Sequence, residues 1–158
     1  MTDLETSATG AEGTALIRSG RLFMANAYGS DLLALPMSLT SQYWNGAGFV
    51  LNADDSCTSL TVPTAGNGGL VFGPGGLVAG DTVASINAAT SGTSALVNGD
   101  AHFSLTKPGQ GKKGYVDITV SAPAWLKFPW RSSTPTISTG RGSFGFYKSK
   151  LIFRRENY

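Results

Sequence analysis

The sequence predicts a single all-β domain, an antiparallel β-sandwich of the Ig-like or jelly-roll-like type, and three observations support this. Charged residues make up only 14% of the 158 residues and apolar residues 41%; Gly, Ser, Thr and Ala fill much of the rest, which suits short strands joined by turns. Apolar and polar residues alternate with period two in several segments, as in half-buried strands. No segment combines helical periodicity with helix caps.

The chain divides into an arm and a domain. Residues 1–13 are small, polar and acidic, and we expect a disordered arm or linker. Residues 14–158 are expected to form the sandwich, which is long enough to bury a core without metals or disulfides. The N-terminus lacks the basic start and apolar middle of a signal peptide, and no apolar run reaches the ~18 residues of a membrane span. If the domain is exported, its signal lies elsewhere.

The first half of the domain contains several strand signals. Residues 14–27 are consistent with one or two strands, and residues 32–39 with an edge strand because they contain Pro36. Asn45-Gly46 lies between two β-forming runs and predicts a hairpin, since both residues accept positive φ.

The middle of the chain holds a Gly-rich loop and a second predicted hairpin. Residues 64–80 read as a long loop with a short strand at 69–72, and residues 83–97 have no clear pattern. Residues 101–106 and 115–121 both alternate with period two, on either side of a basic turn, which predicts that they pair with each other.

The last part of the chain is aromatic and basic. Residues 123–130 predict a bulky extended segment, and residues 131–141 a polar connection. Residues 143–147 and 151–158 are expected to be two short closing strands, with the second integral to the sheet rather than a free tail.

One acidic loop offers candidate calcium ligands. Asn52, Asp54, Asp55 and Ser56 provide the densest cluster of hard oxygens in the chain. The same residue types also form turns by bonding to their own backbone, and the spacing is not that of an EF-hand. We therefore expect no cofactor, with calcium as the alternative.

The charge distribution suggests a candidate surface for anionic ligands. Residues 1–106 carry two basic and eight acidic residues, whereas residues 107–158 carry ten basic and two acidic ones, so that −6 and +8 give the net charge of +2. A basic surface with interleaved aromatic residues can bind nucleic acid or anionic glycans. In a sandwich, however, the aromatic residues are expected to lie in the core. The candidate residues are Lys107, Lys112, Lys113, Lys127, Arg131 and Arg141.

Catalytic signatures are weak, and the protein is expected not to be an enzyme. His102 is the only histidine and Cys57 the only cysteine, which leaves the usual zinc ligand sets and nucleophile–base pairs without support. Cys57 is expected to be either buried or bonded to a cysteine upstream in a longer chain. The alternative of a polysaccharide-acting enzyme needs two carboxylates across a cleft. Its candidate acids are Asp54, Asp55, Asp81, Asp100 and Asp117.

Several strings resemble a known family. NAYGS at residues 26–30, QYWNG at 42–46 and DDSCT at 54–58, followed by Ala124-Trp-Leu126 and the closing segments, are similar to the C-terminal domain of MshQ-type proteins. These proteins belong to the mannose-sensitive haemagglutinin type IV pilus system of Gram-negative bacteria.

The resemblance implies a structural or adhesion module at the end of a longer, secreted chain. It implies a location at the cell surface, on the pilus or the outer membrane, with other domains of the chain and pilus or outer-membrane components as partners. It brings no catalytic residues, and the sequence lacks the acidic stretch that relatives often carry after the Trp, which weakens any metal site there.

Overall fold

A computed structural model describes residues 20–127 and 138–145. This part of the chain is nearly all β, which confirms the predicted fold class, and its one helical segment is a 3₁₀ helix at Ala124–Leu126. None of the described helical structure is long and apolar enough to cross a membrane. The strands are β1 Gly20–Met24, β2 Ala27–Gly29, β3 Leu35–Met37, β4 Leu39–Trp44, β5 Phe49–Leu51, β6 Ser59–Thr61, β7 Leu70–Phe72, β8 Ala84–Ser85, β9 Thr93–Ala95, β10 Phe103–Leu105, β11 Gly114–Val120 and β12 Ser138–Phe144.

The strands form four small sheets. Their orders are β1-β4-β5, β3-β10-β8, β2-β12-β11-β7 and β6-β9. All pairings between these strands are antiparallel except that of β2 with β12, where Tyr28 lies opposite Ser143 in a parallel arrangement. The longest pairing joins β11 and β12 over seven residues, from Gly114↔Phe144 to Val120↔Ser138.

The four-stranded sheet forms one layer of a sandwich, and its partner layer packs on the inner face of β12. Two inward-facing positions of β12 are glycines. A Cβ at Gly140 would lie 2.5 Å from Met24 Cγ, and a Cβ at Gly142 would lie 2.5 Å from Leu105 Cδ1. The missing side chains therefore let β1 and β10 approach the backbone of β12, and one continuous core forms between the layers.

The core follows from period-two alternation. Along β11, Val116, Ile118 and Val120 are fully buried, while the residues between them are half-exposed. Phe103 and Leu105 of β10 and Phe144 of β12 add the bulkiest part of the same core. Burial of each such side chain contributes about 1.5–3 kcal/mol to folding.

Several local predictions are confirmed. Asn45-Gly46 lies in the turn that joins β4 and β5, where Trp44 pairs with Phe49 and Gly46 has a φ of 101°. Pro36 lies in β3, an edge strand of its sheet. A short strand, Leu70–Phe72, emerges from the Gly-rich loop as expected.

Other predictions are wrong. The two alternating segments around the basic turn do not form a hairpin, because β10 pairs with β3 and β8 while β11 pairs with β7 and β12. The loop between β10 and β11 is instead hydrogen-bonded to Asp31. The backbone carbonyl of Asp31 accepts from the N–H of Gly109, and its Oδ2 accepts from the N–H of Gly111. β12 begins at Ser138, within the segment predicted to be a polar connection. Residues 124–126 form the 3₁₀ helix rather than an extended segment.

The predicted arm at 1–13 and the closing strand at 151–158 lie outside the described residues.

Candidate functional site

One wall of the most distinctive groove is the loop of residues 52–58, which packs on a tight turn at Asn98-Gly99. The backbone carbonyl of Asp55 accepts a hydrogen bond from the N–H of Gly99 at 2.7 Å, and Ser56 Oγ accepts one from the N–H of Asn98 at 3.1 Å. Gly99 has a φ of 79°, and a Cβ there would overlap the carbonyl of Asn52. Glycine at this position therefore allows the turn to hold the loop.

The other wall is the 3₁₀ helix, which presents Trp125 to solvent. Leu126 is buried and anchors the helix in the core. A Cβ at Gly20 would lie 3.0 Å from Leu126 Cδ2 and 3.4 Å from the carbonyl oxygen of Trp125, so the glycine lets the helix lie close against β1. Trp125 itself is 70% exposed. Because its neighbour is buried in the core, the backbone that carries the indole is anchored there.

Together these walls enclose an open groove of about 560 Å³, which we call the Trp125 groove. Parts of three stretches that carry the family resemblance meet here, QYWNG, DDSCT and Ala124-Trp-Leu126, although they are far apart in the sequence. Side chains of several types converge, with an exposed indole, a phenol, an amide, carboxylates and a hydroxyl. The lining residues are Gly20, Tyr43, Asn52, Asp54, Asp55, Cys57, Thr58, Trp125 and Leu126.

The candidate calcium ligands lie on this groove or behind it. Asp55 is buried, and its Oδ1 accepts a hydrogen bond from the N–H of Thr58 at 3.0 Å and lies 3.9 Å from Cys57 Sγ. Ser56 Oγ is bonded to the Asn98 N–H, while Asn52 and Asp54 line the groove. Among the residues that the structure describes, no group of three or more His, Cys, Asp or Glu side chains is arranged to hold a metal ion. Asp55 and Ser56 thus stabilise the turn.

Cys57 is exposed and lines the groove, so the prediction that it is buried in this domain is wrong. The adjacent residues explain this exposure, because Asp55 and Thr58 occupy the buried positions of the loop. A disulfide with a cysteine upstream in a longer chain stays a prediction.

The basic residues predicted to form an anionic-ligand surface are spread over three elements. Lys107, Lys112 and Lys113 lie on the loop between β10 and β11, and Lys127 follows the 3₁₀ helix. Arg141 lies in the middle of β12, and Arg131 is outside the described residues.

Two of these cations are paired with carboxylates. Lys112 Nζ lies 3.2 Å from Asp81 Oδ1, and Arg141 donates two hydrogen bonds to Asp117. The hydrogen bond from the Val78 N–H, together with Lys112, holds the pKa of Asp81 below its usual value. Pairing reduces the positive potential that these two residues offer to an anionic polymer.

The remaining candidate catalytic groups lie apart from the groove. His102 is exposed and has a φ of 43°; its N–H donates to Asp100 Oδ1 at 2.8 Å, and its Nδ1 lies 3.8 Å from Asp100 Oδ2. Asp81 and Asp117 each have a cationic partner on another element. The structure brings only Asp54 and Asp55 of the candidate acids to the Trp125 groove.

Sequence reasoning missed the main groove residue. Trp125 was expected to belong to an extended aromatic segment with its ring in the core. The neighbouring Leu126 takes the buried position instead. The Ala124-Trp-Leu126 string offers two bulky apolar side chains in succession, and the sequence does not indicate which of them is buried.

Comparison with known proteins identifies the family. A family model described as the fourth domain of DUF6701 matches residues 18–157. No curated protein matches the chain, and no solved structure does. The match covers nearly the whole sequence, including both walls of the Trp125 groove, and the chain therefore belongs to the DUF6701 fourth-domain family.

Proposed function

We propose that this domain is a non-enzymatic adhesion module at the C-terminus of an MshQ-like, type IV pilus-associated surface protein, and that the Trp125 groove docks a protein component of the pilus. The resemblance of the NAYGS, QYWNG and DDSCT strings supports the pilus association. The observation that carries the docking role is the exposed indole of Trp125 next to the buried Leu126, which anchors the 3₁₀ helix.

The exposed indole of Trp125 favours a contact surface. A tryptophan that is 70% exposed leaves apolar area in water that folding does not bury. Tryptophan is among the residues most enriched at interface hot spots, where an anchor side chain fills a desolvated pocket surrounded by polar groups. The groove has this composition, because Trp125 and Tyr43 are accompanied by the polar Asn52 and Thr58.

The carboxylates of the groove favour binding over hydrolysis. Glycoside hydrolysis requires two carboxyl groups on opposite sides of the scissile bond, about 5–10 Å apart. Asp54 and Asp55 are adjacent on one loop, and Asp55 is buried with Oδ1 bonded to the backbone of Thr58. This arrangement stabilises the wall of the groove and supports a non-enzymatic role.

Binding to purified pili tests the proposal. The chain is incubated with intact pili, and the bound fraction is measured over a range of concentrations. We expect Trp125→Ala to weaken binding at least about tenfold, as for a hot-spot residue. Trp44→Ala is the matched control because Trp44 is also exposed, at 47%, but does not line the groove. Equal binding by the wild type and Trp125→Ala would overturn the proposed site.

A further inference from the structure

The outer face of the four-stranded sheet carries a second polar groove, of about 490 Å³. Arg141 of β12 and Asp117 of β11 lie opposite each other at its centre. Thr119 and Thr139 form the next cross-strand pair on the same face. Tyr28 of the edge strand β2 and Asn26 close one side of the groove. We call this surface the Arg141 face.

Arg141 is held in place from three directions. Its Nε lies 2.6 Å from Asp117 Oδ1 and its Nη2 lies 2.9 Å from Asp117 Oδ2, which is a bidentate pair. Its guanidinium carbon lies 3.8 Å from the centre of the Tyr115 ring. Its backbone N–H donates to Asn26 Oδ1 at 2.8 Å. The hydrogen bonds to Asp117 raise the pKa of Arg141 above its usual value, so the group stays charged.

This arrangement leaves donors available beside an exposed ring. A guanidinium has five N–H donors, and two of them are bonded to Asp117. The others make no hydrogen bond to the residues that the structure describes, and the Arg141 side chain is 46% exposed. Tyr28 is 74% exposed at the edge of the same groove. The hydroxyl groups of Thr119 and Thr139 add groups that both donate and accept.

We infer that the Arg141 face binds a neutral saccharide. Neighbouring hydroxyl groups of a sugar can accept from the fixed guanidinium and donate to Asp117 and the threonines, while the Tyr28 ring covers the apolar face of the sugar ring. This surface resembles the small-ligand sites in which an aromatic group accompanies a few fixed polar groups. The inference goes beyond the proposed docking role, since it uses different residues and a different class of ligand.

Other ligand classes fit less well. An anionic ligand would have to compete with Asp117 for Arg141 and would be repelled by that carboxylate. A cationic ligand would be repelled by the guanidinium of Arg141, which stays charged beside Asp117. Protein interfaces are enriched in Arg but depleted of Asp, and on this face Asp117 lies at the centre, bonded to Arg141. An uncharged ligand rich in hydroxyl groups satisfies the donors and acceptors without breaking the pair.

Titration with neutral oligosaccharides tests the inference. A panel built from hexoses and N-acetylhexosamines is screened against the whole chain on an array, and the dissociation constant of the tightest binder is measured by calorimetry. We expect Tyr28→Ala to weaken this binding at least about tenfold, since an aromatic anchor is lost. The double variant Arg141→Gln, Asp117→Asn, which keeps the net charge, should weaken it similarly. Val71→Thr is the control because Val71 is exposed opposite Asp117 but does not line the groove.

The test separates this inference from the proposed function. Binding that survives Trp125→Ala and is lost in Tyr28→Ala supports the Arg141 face, whatever the result with pili. Binding of no member of the panel, or binding lost in Trp125→Ala and kept in Tyr28→Ala, overturns it. Raising the salt concentration from about 0.05 to about 0.5 M should change the dissociation constant less than about twofold, because no counterions are released. A strong loss of binding with salt would indicate an anionic ligand and would also overturn it.

Discussion

At the scale of single residues, the chain builds the same tight turn twice with different chemistry. Ile86 and Ala89 exchange two backbone hydrogen bonds around Asn87-Ala88, as Val97 and Asp100 do around Asn98-Gly99. All four central residues have positive φ, between 47° and 79°. Such turns favour Gly at the second central position, and Ala88 therefore holds a left-handed conformation that costs an L-residue about 1–2 kcal/mol.

Replacing this alanine is expected to stabilise the domain. Ala88→Gly relieves the unfavourable φ of 68°, although glycine also increases the entropy of the unfolded chain by about 0.4–1 kcal/mol. We expect a net gain of about 0.5–1 kcal/mol and a rise in Tm of about 2–3 °C for a chain of this size. Thermal unfolding followed by circular dichroism measures the change in Tm. Ala95→Gly, in the exposed strand β9, should instead lower Tm, and a fall in both variants would contradict the argument.

Cys57 gives a second prediction at this scale. Because its side chain is exposed in the Trp125 groove, a maleimide should label the native domain quickly and completely without denaturant. Labelling should also reduce pilus binding, since the added group occupies the docking groove. Mass spectrometry measures the labelled fraction over time. A thiol that reacts only after unfolding would contradict the exposed position of Cys57 in the groove.

At the scale of elements, the basic loop between β10 and β11 is held by two acidic residues from distant parts of the chain. The backbone carbonyl of Asp31 accepts a hydrogen bond from the N–H of Gly109, and Asp31 Oδ2 accepts one from the N–H of Gly111. Asp81 Oδ2 accepts the N–H of Val78 at 2.8 Å, and Asp81 Oδ1 faces Lys112. These contacts place the loop away from a direct β10–β11 turn.

The pairing of Asp81 predicts a pH dependence of stability. Its pKa is lower in the folded protein than in the unfolded chain, so its contribution is present above the unfolded pKa and is lost as pH falls through the folded pKa. Asp81→Asn should therefore lower Tm at neutral pH, and the difference from the wild type should shrink as the solution becomes strongly acidic. Melting curves over the acidic range measure it. If the Tm difference between Asp81→Asn and the wild type does not change with pH, the charge of Asp81 does not contribute to the stability of the fold.

The glycines of β12 give a prediction about how the layers pack. Val at position 140 would place a Cβ 2.5 Å from Met24 Cγ and 2.7 Å from Met24 Sδ. Overpacking of this kind costs about 1–3 kcal/mol, so we expect Gly140→Val to lower the free energy of unfolding by about 2 kcal/mol. The matched control is Thr139→Val, one residue away on the exposed side of the strand. Denaturant unfolding measures both, and equal midpoints would contradict close packing at Gly140.

The sequence predicted which segments are strands better than it predicted their partners. Alternation along β10 and β11 indicates which side chains face the core, but it carries no information about which strand lies beside them. The sequence predicts that this strand begins at residue 143, whereas β12 begins at Ser138. The reason is that glycines such as Gly140 and Gly142 are typical of loops. In the structure they lie in a strand, and the side chains of Met24 and Leu105 occupy the positions that a Cβ at each glycine would take.

The candidate site was predictable only in part. The sequence placed Asp54, Asp55 and Cys57 in one loop, and the structure keeps them beside one groove. Trp125 could not be assigned from its residue type, since buried and exposed aromatic residues look alike in a strand-rich chain. The bidentate pair of Arg141 and Asp117 depends on the register of β11 and β12, and that register follows from the whole sheet.

At the scale of the whole molecule, the two grooves lie on different parts of the sandwich and use different chemistry. The Trp125 groove is built on β1, β4, the loop of residues 52–58 and the 3₁₀ helix. The Arg141 face belongs to the outer side of the four-stranded sheet. A sandwich fold permits this separation because each layer has one face in the core and one face in solvent. The two proposed roles, docking to a pilus and binding a saccharide, therefore use separate surfaces of one module.

The most direct measurement of the docking role is oxidative footprinting of the tryptophans in the free and pilus-bound protein. Hydroxyl radicals oxidise exposed indoles, and mass spectrometry reports the rate at each residue. Trp125 and Trp44 are both exposed in the free chain. We expect pilus binding to slow oxidation of Trp125 at least about fivefold, since a hot-spot side chain becomes desolvated, and to leave the rate at Trp44 unchanged. An unchanged rate at Trp125 in the bound protein would contradict the account.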